Sequence, residues 1–195
     1  MRHDAHKGSQ ADADDHAHWD AVENATELLR EGDVDGAMRE LRAVIDGDPR
    51  NPYAHCFLAD AQFERGEHEA ARAGYERALE HAPQYLGALV GLGHALRLLG
   101  RTAEAVRAGE RALAMRAARD ASSHEIAAVP SAPLDLARDS ADVAADQDAH
   151  FLLGLAHMQA GDKLRARRHL EAVLAGRPEV ELQHEVRGLL DTLSQ

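Results

Sequence analysis

The stretch that decides the fold is residues 52–85, PYAHCFLADAQFERGEHEAARAGYERALEHAPQY. Apolar and small residues recur at helical spacing on both sides of Gly66, and Pro83 stands near the end. Glycine between two helical patterns marks a turn, because it adopts left-handed backbone without a Cβ penalty. Proline ends a helix and suits the start of the next element. The stretch therefore predicts two helices joined by a tight turn.

The same pattern recurs along the chain every 34 residues. Its members are Gly32, Gly66 and Gly100; Ala37, Ala71 and Ala105; and Pro49 and Pro83. A further set, Gly161, Ala166 and Pro178, keeps the same spacing once residues 120–146 are left out of the count. Fixed small residues allow two helices to approach closely at each repeat. The pattern therefore predicts stacked helix pairs with one insertion.

This pattern resembles the tetratricopeptide repeat, a helix-turn-helix unit of about 34 residues. The resemblance implies an all-α fold, an α-solenoid of antiparallel helix pairs with about four units. Three units would span residues 18–119, a fourth would span residues 147–180, and residues 181–195 would form a C-terminal cap helix. In the third unit Gly109 replaces the usual bulky residue, which predicts loose local packing.

Two segments lie outside the repeats. Residues 1–17 are polar and acidic without apolar periodicity, so they are predicted to be disordered. The insertion at 120–146 is predicted to begin as a loop over 121–132 and to continue as a helix from about residue 134. That helix either extends the first helix of the fourth unit or packs separately.

Histidines are concentrated at the N-terminus, where a metal site is one interpretation. The residues concerned are His3, His6, His16 and His18. A terminal amine with a histidine third in line could chelate Cu(II) or Ni(II), and further histidines suit the same metals. The competing interpretation is a solvated tail that binds no metal, because a disordered segment has no fixed ligand geometry.

Charge and composition narrow the class of partner. The chain of 195 residues carries 34 acids against 22 bases, a net charge of −12, which argues against nucleic acid and anionic membranes. Nearly all of the bases are arginine and alanine is the commonest residue, as in proteins from GC-rich, bacterial-like genomes. No apolar run approaches the length that a membrane-spanning helix needs, which argues against membrane insertion. The single cysteine excludes an internal disulfide and is consistent with a cytoplasmic location.

Sequence motifs for catalysis are absent. The chain has no GxGxxG, P-loop, nucleophile elbow or HExxH pattern, which predicts a protein without enzymatic activity or cofactor. His150 and His157 stand two helical turns apart on one helix face. They are interpreted as packing residues, because the sequence identifies no third metal ligand.

The resemblance implies a concave groove lined by four positions of each first helix. The candidate groove residues are Trp19, Tyr53, Cys56, Asp60, Phe63, Val90, His94, Arg97, Phe151, Leu155 and Met158. The Lys and Asn residues with which some family members grip a C-terminal carboxylate are absent from these positions. Aromatic residues and Met are typical anchors for a partner segment. The sequence therefore predicts an adaptor or scaffold that binds a protein or peptide. The alternatives are a metal-handling protein and a self-assembling scaffold that forms homo-oligomers.

Overall fold

The computed structural model describes the backbone of residues 5–126 and 134–195 and the side chains of residues 13–119, 121 and 146–195. Within these ranges the structure is all-α, as predicted, and none of the described helices is long and apolar enough to cross a membrane. The helices are α1 (Ala5–Asp20), α2 (Glu23–Glu31), α3 (Val34–Gly47), α4 (Pro52–Glu64), α5 (His68–His81), α6 (Leu86–Leu98), α7 (Thr102–Ile126), α8 (Leu134–Gln159), α9 (Lys163–Ala175) and α10 (Val180–Leu193). They divide into an N-terminal unit, residues 1–88, and a C-terminal unit, residues 89–195.

Four turns between paired helices repeat one geometry. Their glycines, at positions 32, 66, 100 and 161, have φ angles between 76° and 83°. The residue after each glycine donates its N–H to the carbonyl five residues earlier, at 2.8–2.9 Å. This hydrogen bond closes a helix end that requires left-handed backbone, which is why glycine recurs there. The turns predicted from the glycine spacing are confirmed.

The starts of three helices are fixed by polar side chains. Asp33, Asn51 and Asp162 each accept a hydrogen bond from the backbone N–H three residues later, at 2.8–3.0 Å. Such caps satisfy backbone donors that have no partner within the helix. Pro52 follows Asn51 as the first helical residue, where its missing N–H costs nothing.

Small residues at the helix contacts are buried as the repeat predicts. Ala37 and Ala71 in the N-terminal unit, and Ala105 and Ala166 in the C-terminal unit, are fully buried. At Gly74 on α5, an added Cβ would lie only 2.8 Å from the Cβ of Ala59 on α4. The backbones of the paired helices therefore approach too closely for larger side chains.

The prediction of loose packing at Gly109 is corrected by the structure. Gly109 is buried, and an added Cβ there would lie 2.8 Å from Cγ of Leu153. Leu153 on α8 is itself fully buried. The space that a bulky residue would fill on α7 is thus filled by a leucine from the neighbouring helix.

The segments outside the repeats are more helical than predicted. Helix α1 covers Ala5–Asp20, in place of the expected disorder over residues 1–17, and residues 1–4 lie outside the described part. Helix α7 continues to Ile126, so residues 121–126 are helical and not loop. The predicted loop at 127–132 lies outside the described residues. Helix α8 runs unbroken from Leu134 to Gln159, which confirms the alternative in which the insertion extends the first helix of the fourth repeat.

The C-terminal cap helix is present as α10. Its Val186 is fully buried against Leu170 and Val173 of α9. This apolar contact covers the last repeat, as expected of a terminal helix in a repeat array.

Candidate partner-binding face

The N-terminal unit carries four aromatic side chains in edge-on contact. We call them the aromatic row, and they are Phe57, Trp19, Tyr53 and Tyr85. Trp19 lies 5.9 Å from Phe57 and 5.3 Å from Tyr53 between ring centroids, and Tyr53 lies 5.3 Å from Tyr85. Edge-to-face pairs of this kind stabilise one another beyond the area they bury. Trp19 is 44% exposed, so the row reaches the surface.

Polar contacts beside the row attach α1 to α4 and the loop before it. The Tyr53 hydroxyl donates a hydrogen bond of 2.8 Å to Oδ1 of Asp15. Asn51 donates from Nδ2 to the His18 carbonyl at 2.8 Å, and His18 Nε2 lies 2.9 Å from Oδ2 of Asp48. Burial and the Asp15 carboxylate raise the pKa of Tyr53 to about 12, because both disfavour the phenolate. The hydroxyl therefore stays protonated and keeps donating to Asp15.

A second polar group lies beneath the row on α4. Tyr75 donates its hydroxyl hydrogen to Oδ1 of Asp60 at 2.6 Å. Burial raises the pKa of Asp60 to about 6; the Tyr75 hydrogen bond opposes this shift, and the charge of Glu64 adds to it. Cys56 is buried, and burial raises the pKa of its thiol. A protonated, inaccessible thiol is unreactive, so Cys56 serves as a small core residue.

In the C-terminal unit, α6 presents an arginine with an unsatisfied donor. Nε of Arg97 is buried, and within the described part of the chain it has no hydrogen-bond partner. Burial lowers the pKa of His94 to about 4, and the nearby Arg97 adds to that shift. His94 is therefore neutral at pH 7, while Arg97 remains charged. Val90, on the same helix, is buried.

The remaining candidate residues are partly covered by their own unit. Phe63 on α4 is half-buried, with its ring 5.2 Å from that of His68. Phe151 and Met158 on α8 pack against the buried cluster of α9 and α10, and Leu155 is half-buried. Phe151 and Met158 thus contribute to the core as well as to the surface.

The predicted groove residues fall in both units. Trp19, Tyr53, Cys56, Asp60 and Phe63 lie in the N-terminal unit, and Val90, His94, Arg97, Phe151, Leu155 and Met158 lie in the C-terminal unit. That they bind one partner stays a prediction. Sequence reasoning missed Tyr85, which ends the row, and the bond between Tyr75 and Asp60. Tyr85 carried a usable signal, because an aromatic residue directly before a first helix can reach the preceding one.

The four histidines proposed as metal ligands are only partly described. His3 and the side chain of His6 lie outside the described residues. His16 is exposed and lies 3.6 Å from Asp20, and His18 contacts Asp48. Among described side chains, no three His, Cys, Asp or Glu residues are arranged to hold a metal ion. Metal binding by the N-terminus stays a prediction.

A different group of histidines meets between α8 and α9. Nδ1 of His150 lies 2.9 Å from Nδ1 of His169, and the ring of His157 stacks on that of His169 at 5.6 Å and 11°. His157 is buried, and the other two are half-buried. Sequence reasoning paired His150 with His157 but missed His169, which comes from the second helix of the same repeat.

Comparisons with known proteins agree with this architecture. The tetratricopeptide repeat family profile matches residues 22–85 and 58–123, together more than half of the chain. No curated protein sequence matches significantly. Similar solved structures include PilF of Pseudomonas aeruginosa (21% identity, 91% of this chain and 69% of PilF, TM-score 0.68). They also include MamA of Desulfovibrio magneticus (16%, 91% and 89%, 0.62) and the type IV pilus biogenesis factor PilW (19%, 91% and 74%, 0.64). At these identities the likeness shows the fold alone.

Proposed function

Because this chain belongs to the tetratricopeptide repeat family, we propose that it is a non-enzymatic adaptor that binds a segment of a protein partner. Tetratricopeptide repeat domains typically mediate protein–protein interactions, and their scaffold is usually non-catalytic. In the N-terminal unit the proposed contact residues are Trp19, Tyr53 and Phe63, and in the C-terminal unit the proposed contact residue is Arg97. A cytoplasmic location is part of the proposal.

The aromatic row is the observation that carries this proposal. Trp19 keeps 44% of its surface exposed although aromatic neighbours support it on two sides. Rigid aromatic side chains with an exposed face are typical anchors at protein interfaces, because they bury a large area at little entropic cost. A partner segment would cover Trp19 and the adjacent Tyr53.

The row also supplies the readout for a binding test. Trp19 is the single tryptophan of the chain, so its emission reports contact at this site. Random peptides displayed on phage would be selected on the full chain and then titrated as synthetic peptides. We expect binding to shift the Trp19 emission and Phe63→Ala to weaken it about tenfold, with little change in melting temperature. If no selected peptide binds the full chain, the adaptor proposal fails.

The unsatisfied Nε of Arg97 favours a partner segment that contains an aspartate or a glutamate. Other arginines of the described chain contact acids, such as Arg65 with Asp35 and Arg72 with Glu76. Nε of Arg97 is buried without an acceptor, and burial lowers the pKa of its guanidinium. An unsatisfied buried donor is costly, and a carboxylate from a partner would relieve that cost.

A charge reversal tests the role of Arg97. Peptides selected on the wild-type chain should be enriched in Asp or Glu at one position, and Arg97→Glu should replace that preference by Lys or Arg. Arg107→Glu, an exposed arginine on α7, is the matched control and should leave the preference unchanged. An acidic preference that survives Arg97→Glu would assign the carboxylate to another site.

A further inference from the structure

The contact between His150 and His169 constrains how many protons the pair can hold. At 2.9 Å between the two Nδ1 atoms, one nitrogen donates a hydrogen bond and the other accepts it. The accepting imidazole must therefore keep Nδ1 unprotonated. If both rings are protonated, two N–H groups and two positive charges face each other, and the contact must break.

Neighbouring charged groups shift the protonation of the pair in both directions. The charged groups that act on these imidazoles are Asp146 on α8, which favours a positive His150, and Arg168 on α9, which opposes charge on both. His157 adds a third imidazole, stacked on His169. Helices α7 and α10 pack against this helix pair through apolar residues, Ala105 against Ala156 and Val186 against Leu170.

We propose that His150, His157 and His169 form a proton-sensitive latch that joins α8 to α9 at neutral pH and opens when the solution is acidified. The latch lies next to Leu170, which holds α10 against α9. Opening would therefore loosen the last helix pair and its cap together. The inference is independent of the proposed partner-binding function.

The direction of the pH effect follows from the two states of the histidines. Burial and the neighbouring imidazoles lower the pKa of His169 to about 4 in the folded chain, against an ordinary value of 6.5. Burial also lowers the pKa of His150. The unfolded chain thus binds more protons between pH 6.5 and 4, so stability is complete above pH 6.5 and falls as the pH drops through this window.

Hydrogen exchange on the full chain at pH 7.5 and pH 5.0 tests whether the opening is local. After correction for the intrinsic pH dependence, amides of α9 and α10 should exchange about tenfold faster at pH 5.0, whereas those of α4 and α5 should not. His169→Gln keeps a hydrogen-bonding group but cannot gain the charge, so it should abolish the difference. Equal acceleration in wild type and variant would overturn the proposal.

Thermal melts provide a second measurement. The wild-type melting temperature should fall between pH 7.5 and 5.0 by about 5 °C more than that of His169→Gln. His184→Gln, an exposed histidine on α10, is the matched control and should fall as the wild type does. If His169→Gln does not fold, His150→Gln and ring-proton titration of the wild type decide. Titration midpoints of His150 and His169 near 6.5 would overturn the latch.

Discussion

The two units of the chain differ in which carboxyl or imidazole group has its pKa shifted most by burial. In the N-terminal unit the group is a half-buried carboxyl, that of Asp60, whose pKa is raised to about 6. In the C-terminal unit the groups are two half-buried imidazoles, those of His94 and His169, which have a pKa lowered to about 4. Burial disfavours the charged form in both cases. Acid therefore favours the folded state at Asp60 and disfavours it at His94 and His169.

The sign for Asp60 is the reverse of that for the histidines. Its pKa is higher in the folded chain than its ordinary 3.8, so the folded state holds the proton more tightly. The resulting stability is complete below pH 3.8 and is lost as the pH rises through 6. A carboxyl and an imidazole at a helix contact therefore give stability contributions of opposite pH dependence.

The largest loss of stability is expected from larger side chains at the close helix contacts. These substitutions would show whether the two units melt separately. Ala71→Leu in the N-terminal unit and Ala105→Leu in the C-terminal unit place three extra carbons at fully buried positions. Overpacking typically costs about 1–3 kcal/mol, sometimes more. Ala71→Leu should lower the melting transition seen by Trp19 emission more than Ala105→Leu does.

The matched control is Ala103→Leu, an exposed position on α7 two residues before Ala105. It should melt within about 2 °C of the wild type, because surface substitutions usually change stability by under about 0.5 kcal/mol. If Ala71→Leu were as stable as the wild type, the assignment of the closest helix contact would be wrong.

An intermediate effect is expected at Asp60, and it would sharpen the contrast in pH response. Asp60→Asn still accepts the hydrogen bond from Tyr75 but carries no charge to desolvate. It should stabilise the chain at pH 7.5 by about 1–2 kcal/mol, about 4 °C in melting temperature, and by less than half of that at pH 4.5. Asp46→Asn, an exposed carboxylate on α3, should show no such gain. A gain that is equal at both pH values would contradict the pKa assigned to Asp60.

The smallest effect is expected at the attachment of α1. Tyr53→Phe removes the hydrogen bond to Asp15 but keeps the ring in the aromatic row. A partly exposed hydrogen bond contributes about 0.5–1.5 kcal/mol, so the global melt should move little. Proteolytic cleavage within α1 should instead become several-fold faster. Asp15→Asn, which keeps an acceptor for the hydroxyl, should be cleaved at a rate close to that of the wild type.

The repeat was predictable because local backbone geometry and helix spacing determine where its glycines and alanines must lie. Gly66 is required because the turn needs a positive φ angle, and Ala71 because the paired helices approach closely there. Both constraints recur once in every repeat. The extent of α7 was harder to predict, because residues 110–126 contain neither glycine nor proline to mark its end. The order of α1 depends on tertiary contacts of Asp15 and His18, which residues 1–17 alone do not reveal.

The site was predictable to a smaller degree. Positions within the repeat identified Trp19, Tyr53 and Arg97, but not what each side chain contacts. The pairing of Tyr75 with Asp60, and of His169 with His150, joins residues on different helices. A periodic pattern fixes which face of a helix a residue occupies, whereas these hydrogen bonds depend on the rotation of one helix against the next.

The close packing of Leu153 against Gly109 limits how this array could have grown by duplication. A glycine on α7 accommodates a leucine from α8, whereas the equivalent position in the second repeat is Tyr75. A copy of the second repeat inserted in third place would set a tyrosine against Leu153. The third and fourth repeats are therefore not interchangeable modules: recombination could transmit them intact only as a pair.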